Sequence, residues 1–266
     1  MGERPVAWVT GASRGMGANT VVELARAGFD VALTARDRER LDAVAGEAAA
    51  LGASTLPVVS DLTDRASVLA FADLASRQFE RCDLLCNIGI YQGPGMHSLF
   101  LDTTPDQLAV SYEADMIAPA ILCQQAVPLM LAGGGGTIVN MSSSSVVLEP
   151  PGTVDDNGWS ISYVAAKAGL DQLASILNIE LGDRGIRAFN VEPGFVAYGE
   201  RFTTTLAKYP GVPVSPPESI GPAIVWLVGS PEADRFLPKR VNLPGLTHKQ
   251  GLLPGWDGPG TAYASA

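Results

Sequence analysis

The chain has 266 residues, enough for one full α/β core, and its 47% hydrophobic and 17% charged content argues against extended disorder. A formal net charge of −10 argues against a nucleic-acid partner, because phosphate backbones are held by clustered Lys and Arg. Any bound phosphate must therefore be gripped locally.

Taken in order, the N-terminus runs from Met1 straight into an apolar, β-rich stretch at 6–10, so no signal peptide is expected and a cytoplasmic location follows. Thr10-Gly11-Ala12-Ser13-Arg14-Gly15-Met16-Gly17 comes next and leads into a helical pattern at 20–27. Glycines at a strand-to-helix turn let the backbone approach a pyrophosphate at a helix N-terminus, which points to nucleotide binding. A second strand, 30–35, ends in Ala35-Arg36-Asp37, where a dinucleotide fold chooses its ribose partner. Arg36 and Arg14 can grip a 2′-phosphate, which favours NADP(H) over NAD(H). Asp37 keeps NAD(H) open, although it more simply caps a helix over 38–50, and either arginine also reads as a solvated surface charge.

Strand and helix go on alternating: a strand at 54–59, Asp61 and Leu62, a helix to about Phe79, and a strand at 83–86. A loop from Asn87 to about Thr104 leads to one long helix ending at Leu131, followed by a fifth strand at 137–141. The serine run 142–145, an irregular stretch, the helix opened by Tyr163 and a strand at 187–191 complete the pattern. Repeated strand-helix units predict a single-domain, Rossmann-like doubly wound parallel sheet, placed at 1–245, with ligands at the carboxyl ends of its strands. The stretch 246–266, rich in Gly and Pro, reads as an irregular tail.

Cys82, Cys86 and Cys123 make an odd count with no disulfide framework, and Cys82 and Cys86 lack neighbouring His ligands. Reduced core thiols and no metal are expected. His97 and His248 read as solvated loop residues, which leaves a Ser-His-Asp triad poorly supplied. The apolar stretch 116–132 contains Gln124, Gln125, Pro119 and Pro128 and reads as short of a membrane span, so no membrane partner is expected.

Tyr163 and Lys167 are four residues apart and share one helix face. A phenol titrates near ~10, and an ammonium beside it draws that value towards the working range, which makes the pair a candidate acid.

Taken together, Thr10-Gly11-x-x-x-Gly15-x-Gly17, Asp61, Ser143, Tyr163-x-x-x-Lys167 and Pro193-Gly194 resemble the compact branch of the short-chain dehydrogenase/reductase family over roughly residues 5–245. The resemblance implies that Tyr163 is the acid/base, that Ser143 holds the substrate oxygen, and that Lys167 lowers the tyrosine pKa and bonds the nicotinamide ribose. It also assigns Asp61 and Leu62 to the adenine, Asn87 and Gly89 to the adenosine side, and Pro193, Gly194 and Val196 to the nicotinamide. Four departures stand out. Cys86-Asn87-Ile88-Gly89 replaces the usual Asn-Asn-Ala-Gly, and Asp115 stands where the family has an asparagine. Asp115 joins the relay through Lys167 or is a surface or capping residue. Ser143 and Tyr163 are twenty apart rather than about a dozen, with the extra 146–160 material over the substrate mouth. Tyr198 replaces the threonine that contacts the nicotinamide amide.

The function expected is interconversion of a ketone or aldehyde and an alcohol. Tyr91, Leu148, Trp159, Phe195, Tyr198 and Phe202 are candidates for an apolar pocket, so the substrate is read as a small lipophilic carbonyl or alcohol. A non-catalytic NADP-binding sensor is the alternative from another class, and a sugar-nucleotide epimerase or dehydratase a second enzyme alternative. The helix after Pro105 and the Tyr163 helix resemble the family's oligomer faces, which implies a homodimer or homotetramer.

Overall fold

The structure is a computed structural model and describes residues 4–197, 211–237 and 239–261. In chain order its first elements are β1 (Val6–Thr10), α1 (Gly15–Arg26), β2 (Asp30–Ala35), α2 (Arg38–Ala50), β3 (Thr55–Val59), α3 (Arg65–Phe79) and β4 (Leu84–Asn87). Then come α4 (Pro105–Tyr112), α5 (Ala118–Ala132), β5 (Gly136–Met141), α6 (Ile161–Leu181) and β6 (Ile186–Glu192). The last part adds β7 (Phe195–Val196), β8 (Val214–Ser215), α7 (Gly221–Gly229), β9 (Val241–Asn242) and α8 (Leu243–Lys249).

Seven strands form one parallel sheet in the order β3-β2-β1-β4-β5-β6-β9. The predicted doubly wound sheet is therefore present. Its strands are nearly continuous apolar runs because both faces are covered. Along β1, Ala7 and Val9 face the layer of α1, α2 and α7, while Val6 and Trp8 face the layer of α3, α5 and α6. Trp8 is fully buried and meets Phe71 of α3 edge-on, with ring centroids 5.9 Å apart. Succession reverses between β1 and β4, so the crevice at the carboxyl ends of these two strands is the fold's ligand-binding switch point.

Local chemistry sets the helix starts. Asp37 and Asp64 accept from Arg40 N and Ala66 N, and Thr104 with Gln107 forms a capping box ahead of Pro105. Such caps are worth about 1 kcal/mol each. The N-terminus of α1 lacks one: Arg14 makes no side-chain cap, and no acidic residue occupies the first turn.

Three expectations need correction. The helix expected to run unbroken from Pro105 is interrupted by a π turn, Glu113–Ile117, which widens the backbone by one residue. The helical stretch Pro105–Ala132 has 28 residues and, by length and composition, would suit a membrane span, contrary to the sequence reading. Pro128 does not end it, and Ala118, Leu122, Cys123, Ala126 and Met130 bury one face in the core. Finally, the boundary drawn at 245/246 falls inside α8, where Asn242 caps the helix by accepting from Gly245 N at 2.7 Å.

Candidate active site

The glycine-rich turn opens into a cavity of about 520 Å³ at the switch point. Gly11, Ser13, Arg14, Gly15, Met16 and Gly17 form one wall; Arg36, Asp61, Leu62, Gly89 and Val196 complete it. Two close backbone approaches explain the glycines. A Cβ on Gly17 would lie 2.2 Å from Gly11 O, and one on Gly11, whose φ is +67°, would lie 2.7 Å from Gly89 Cα. Thr10 locks the turn to the end of β4, its Oγ1 accepting from Ile88 N and Gly89 N at 3.0 Å each. With α1 uncapped, its first N–H groups are open to an anion. Ser60 Oγ, in the same wall, is buried with no hydrogen-bond partner among the described residues. These features fit a dinucleotide: a tight phosphate cradle, free helix N–H groups and a waiting polar atom.

The ribose end of that cavity holds Arg36, Asp37 and Arg40. Asp37 is engaged twice, by Arg40 N at 3.1 Å and in an ion pair with Arg40 Nε at 3.3 Å. Among the described residues neither Arg14 nor Arg36 is in an ion pair. Sequence reasoning missed Arg40, whose turn of helix brings it back to the strand end. Asp61 Oδ1 accepts from Thr63 N (3.0 Å) and Oγ1 (2.9 Å), which fixes the carboxylate at the wall. Asn87 departs from expectation: it is buried and donates Nδ2 to Asn140 Oδ1 at 2.9 Å, away from the cavity. Ile88 and Gly89 face the cavity in its place.

A second cavity of about 240 Å³ brings together Ser143, Tyr163, Trp159, Pro193, Gly194 and Phe195, with Met96, His97, Ser144, Gly158, Ser160 and Glu192. The segment from Glu192 through Val196 reaches both cavities. Of the serine run 142–145, Ser143 and Ser144 line this cavity and Ser142 and Ser145 do not. Ser142 turns inward to donate to Asp171 Oδ1 at 2.8 Å, and Ser145 is buried. Ser143 lines the cavity beside Tyr163, where its hydroxyl opposes the rise of the phenol pKa, and it accepts from Ser145 N at 3.2 Å. The extra residues before α6 form two short 3₁₀ turns, and Ser160 pins them by donating to Met96 O at 2.8 Å. Trp159 lines the cavity, whereas Leu148 is exposed outside it and Tyr91 lines the larger one. Tyr198 and Phe202 lie outside the described residues. His97, read as a solvated loop residue, is exposed at the wall of this cavity.

Lys167 and Asp115 lie behind the wall, both fully buried. Lys167 Nζ donates to Met141 O at 2.9 Å. Asp115, in the π turn, accepts from Tyr91 N at 2.7 Å through Oδ1, while Oδ2 has no hydrogen-bond partner among the described residues. It is neither a surface nor a capping residue. Burial pushes the Asp115 carboxyl up, against the pull of Lys167 and the Tyr91 N–H. Burial likewise pushes the Lys167 amine down, with Asp115 opposing. The phenol of Tyr163 is raised chiefly by burial, with Asp115 and Glu192 adding to the rise and the Ser143 hydroxyl opposing it. The Lys167 ammonium is turned to Met141 O, and burial, Ser143 and two carboxylates are what act on the phenol.

Below the site, Asp171 of α6 is held from both sides, by Ser142 and by Arg240 NH2 at 2.9 Å, and its carbonyl accepts from Asn190 Nδ2 at 2.7 Å. No spacing rule exposes this network, because its members are scattered along the chain.

Comparison with known proteins agrees with this geometry. The sequence model described as short chain dehydrogenase matches residues 5–207. The chain is 29% identical over 256 residues to the short chain dehydrogenase tazN of Aspergillus terreus, covering 92% of this chain and 54% of that protein. It thus spans about half the length of that relative. It is 31% identical over 191 residues to the 3-oxoacyl-(acyl-carrier-protein) reductase FabG of Staphylococcus aureus, covering 71% of this chain and 74% of the reductase. A metagenomic short-chain oxidoreductase solved in complex with NADP superposes with a TM-score of 0.68 at 30% identity, over 85% of this chain and 91% of the other. A 7 alpha-hydroxysteroid dehydrogenase superposes with a TM-score of 0.75 at 24% identity, over 90% and 92%, which speaks to the fold alone.

Proposed function

The chain belongs to the short-chain dehydrogenase/reductase family, and on that premise we propose that it is an NADP(H)-dependent oxidoreductase interconverting a ketone or aldehyde with an alcohol. The observation that carries this reading is the presence of Ser143 and Tyr163 together in the wall of one cavity, joined through residues Glu192 to Val196 to the phosphate cradle of the other. A nicotinamide bound across the two would supply or accept the hydride. Ser143 holds the substrate oxygen as negative charge develops there. Tyr163 gives its proton to that oxygen in reduction and takes it back in oxidation, so carbonyl, hydride and proton balance to alcohol. Burial keeps the phenol protonated at neutral pH, the form a donor needs.

The preference for NADP(H) rests on Arg14 and Arg36, in no ion pair among the described residues, beside an Asp37 already engaged by Arg40. The lipophilic substrate rests on Trp159 and Phe195 in the smaller cavity. The decisive experiment is Tyr163→Phe, assayed on a panel of aliphatic and aromatic ketones. We expect cofactor binding to be retained and turnover to fall by about 10²–10⁴-fold, the usual worth of a positioned general acid. Turnover near wild type would remove Tyr163 from the mechanism.

A further inference from the structure

The smaller cavity contains a carboxylate that the chemistry above does not use. Glu192 ends β6, directly before Pro193, and lines the cavity with Ser143, Tyr163 and Trp159. Its Oε1 accepts from Asn242 Nδ2 at 3.2 Å, while Oε2 is buried with no hydrogen-bond partner among the described residues. A buried acceptor without a donor costs about 1–3 kcal/mol, more when charged, so a donor brought by a ligand recovers that loss. Glu192 acts on the Tyr163 phenol through space, which places its charge near the reacting atoms. The indole of Trp159 forms part of the same wall, and aromatic faces attract cations. The net charge of −10 favours the approach of a cation over an anion.

We propose that Glu192 is a specificity-determining residue that selects carbonyl and alcohol substrates bearing a protonated amine a few bonds from the reacting carbon, an inference that rests on the oxidoreductase reading. A neutral hydroxyl would satisfy the Oε2 lone pairs but leave the charge of the half-buried carboxylate uncompensated; an ammonium does both. It would also offset the upward push of Glu192 on the phenol, so that recognition and proton transfer are coupled.

The test compares the wild type with Glu192→Gln, each with NADPH and with NADH, on three matched ketones: β-dimethylaminopropiophenone, β-hydroxypropiophenone and butyrophenone. In the wild type, kcat/KM for the amine should exceed that for butyrophenone by about tenfold or more, and in Glu192→Gln this ratio should fall by about tenfold. Calorimetric titration of the NADP-loaded protein with γ-phenylpropylamine and γ-phenylpropanol gives a readout independent of turnover, with the same loss of amine preference expected. Glu192→Ala serves in both measurements if the glutamine variant does not fold. An equal amine preference in wild type and variant, or a wild-type preference for the hydroxyl compounds, overturns the assignment. If no ketone is reduced with either cofactor while the amine is bound selectively and Glu192→Gln abolishes that selectivity, the oxidoreductase reading fails and the amine site stands.

Discussion

At the scale of single residues, the buried pair Asp115 and Lys167 most affects how the candidate site would titrate. Each is held by a main-chain group, Asp115 by Tyr91 N and Lys167 by Met141 O, and they act on one another through space. Asp115 pushes the Tyr163 phenol up. Asp115→Asn keeps an acceptor for Tyr91 N and removes the charge, so the basic limb of the pH–rate profile for carbonyl reduction should move to lower pH. An unmoved profile would mean that Asp115 is electrically silent at the site. Stability carries its own sign. The folded-state pKa of Asp115 lies above its unfolded value, so the native state binds more protons in the window between the two, and stability falls as pH rises through that window. The asparagine variant should lose this contribution, read as the difference in denaturation midpoint between pH 4 and neutral pH.

At the scale of elements, the β1–α1 turn is governed by backbone clearance. Because a Cβ on Gly17 meets the carbonyl of Gly11 at 2.2 Å, Gly17→Ala cannot be accommodated by a side-chain rotation, and the turn must open. Overpacking of this kind costs about 1–3 kcal/mol. We expect a lower melting temperature and a loss of dinucleotide affinity; unchanged cofactor binding by calorimetry would mean that the close approach is not needed for it. This element was legible in the sequence because its glycines, strand and helix are local, and so were the β-strands through β6, whose apolar runs mark a sheet covered on both faces. The π turn was not legible, since one extra residue in a helical turn leaves no periodic mark. It nevertheless sends Asp115 inward while Glu113 faces Arg65 of α3 in a paired contact of 2.6 and 2.7 Å. The same limit hid Glu192, His97 and Arg40: each reaches a cavity through tertiary placement, whereas Tyr163 and Lys167 announced themselves by sharing a helix face.

At the scale of the whole molecule, an acidic protein is proposed to hold a highly anionic cofactor. The net charge of −10 repels it at long range, so affinity must come from the helix N–H groups and from Arg14, Arg36 and Arg40 within the cavity. Arg36→Ala should therefore weaken NADPH by about tenfold or more while changing NADH much less, the discrimination expected of a charge-assisted contact to a 2′-phosphate. Equal losses in fluorescence titrations with the two cofactors would reduce Arg36 to a structural residue. Raising the salt concentration should narrow the gap between the cofactors, because salt screens the attraction that sets it.

The double grip on Asp171 bears on the order in which the molecule is assembled. Ser142, Asp171 and Arg240 meet in one network beneath Ser143 and Tyr163, and β9 joins the sheet beside β6. These partners are far apart in the chain, and distant parallel pairings form slowly because loop closure must precede their reward. During synthesis the network beneath the candidate acid cannot be completed until the segment around Arg240 has emerged. A nascent chain that has already made its nucleotide cradle from β1 and β4 therefore passes through a stage in which the cradle is built and that network is not.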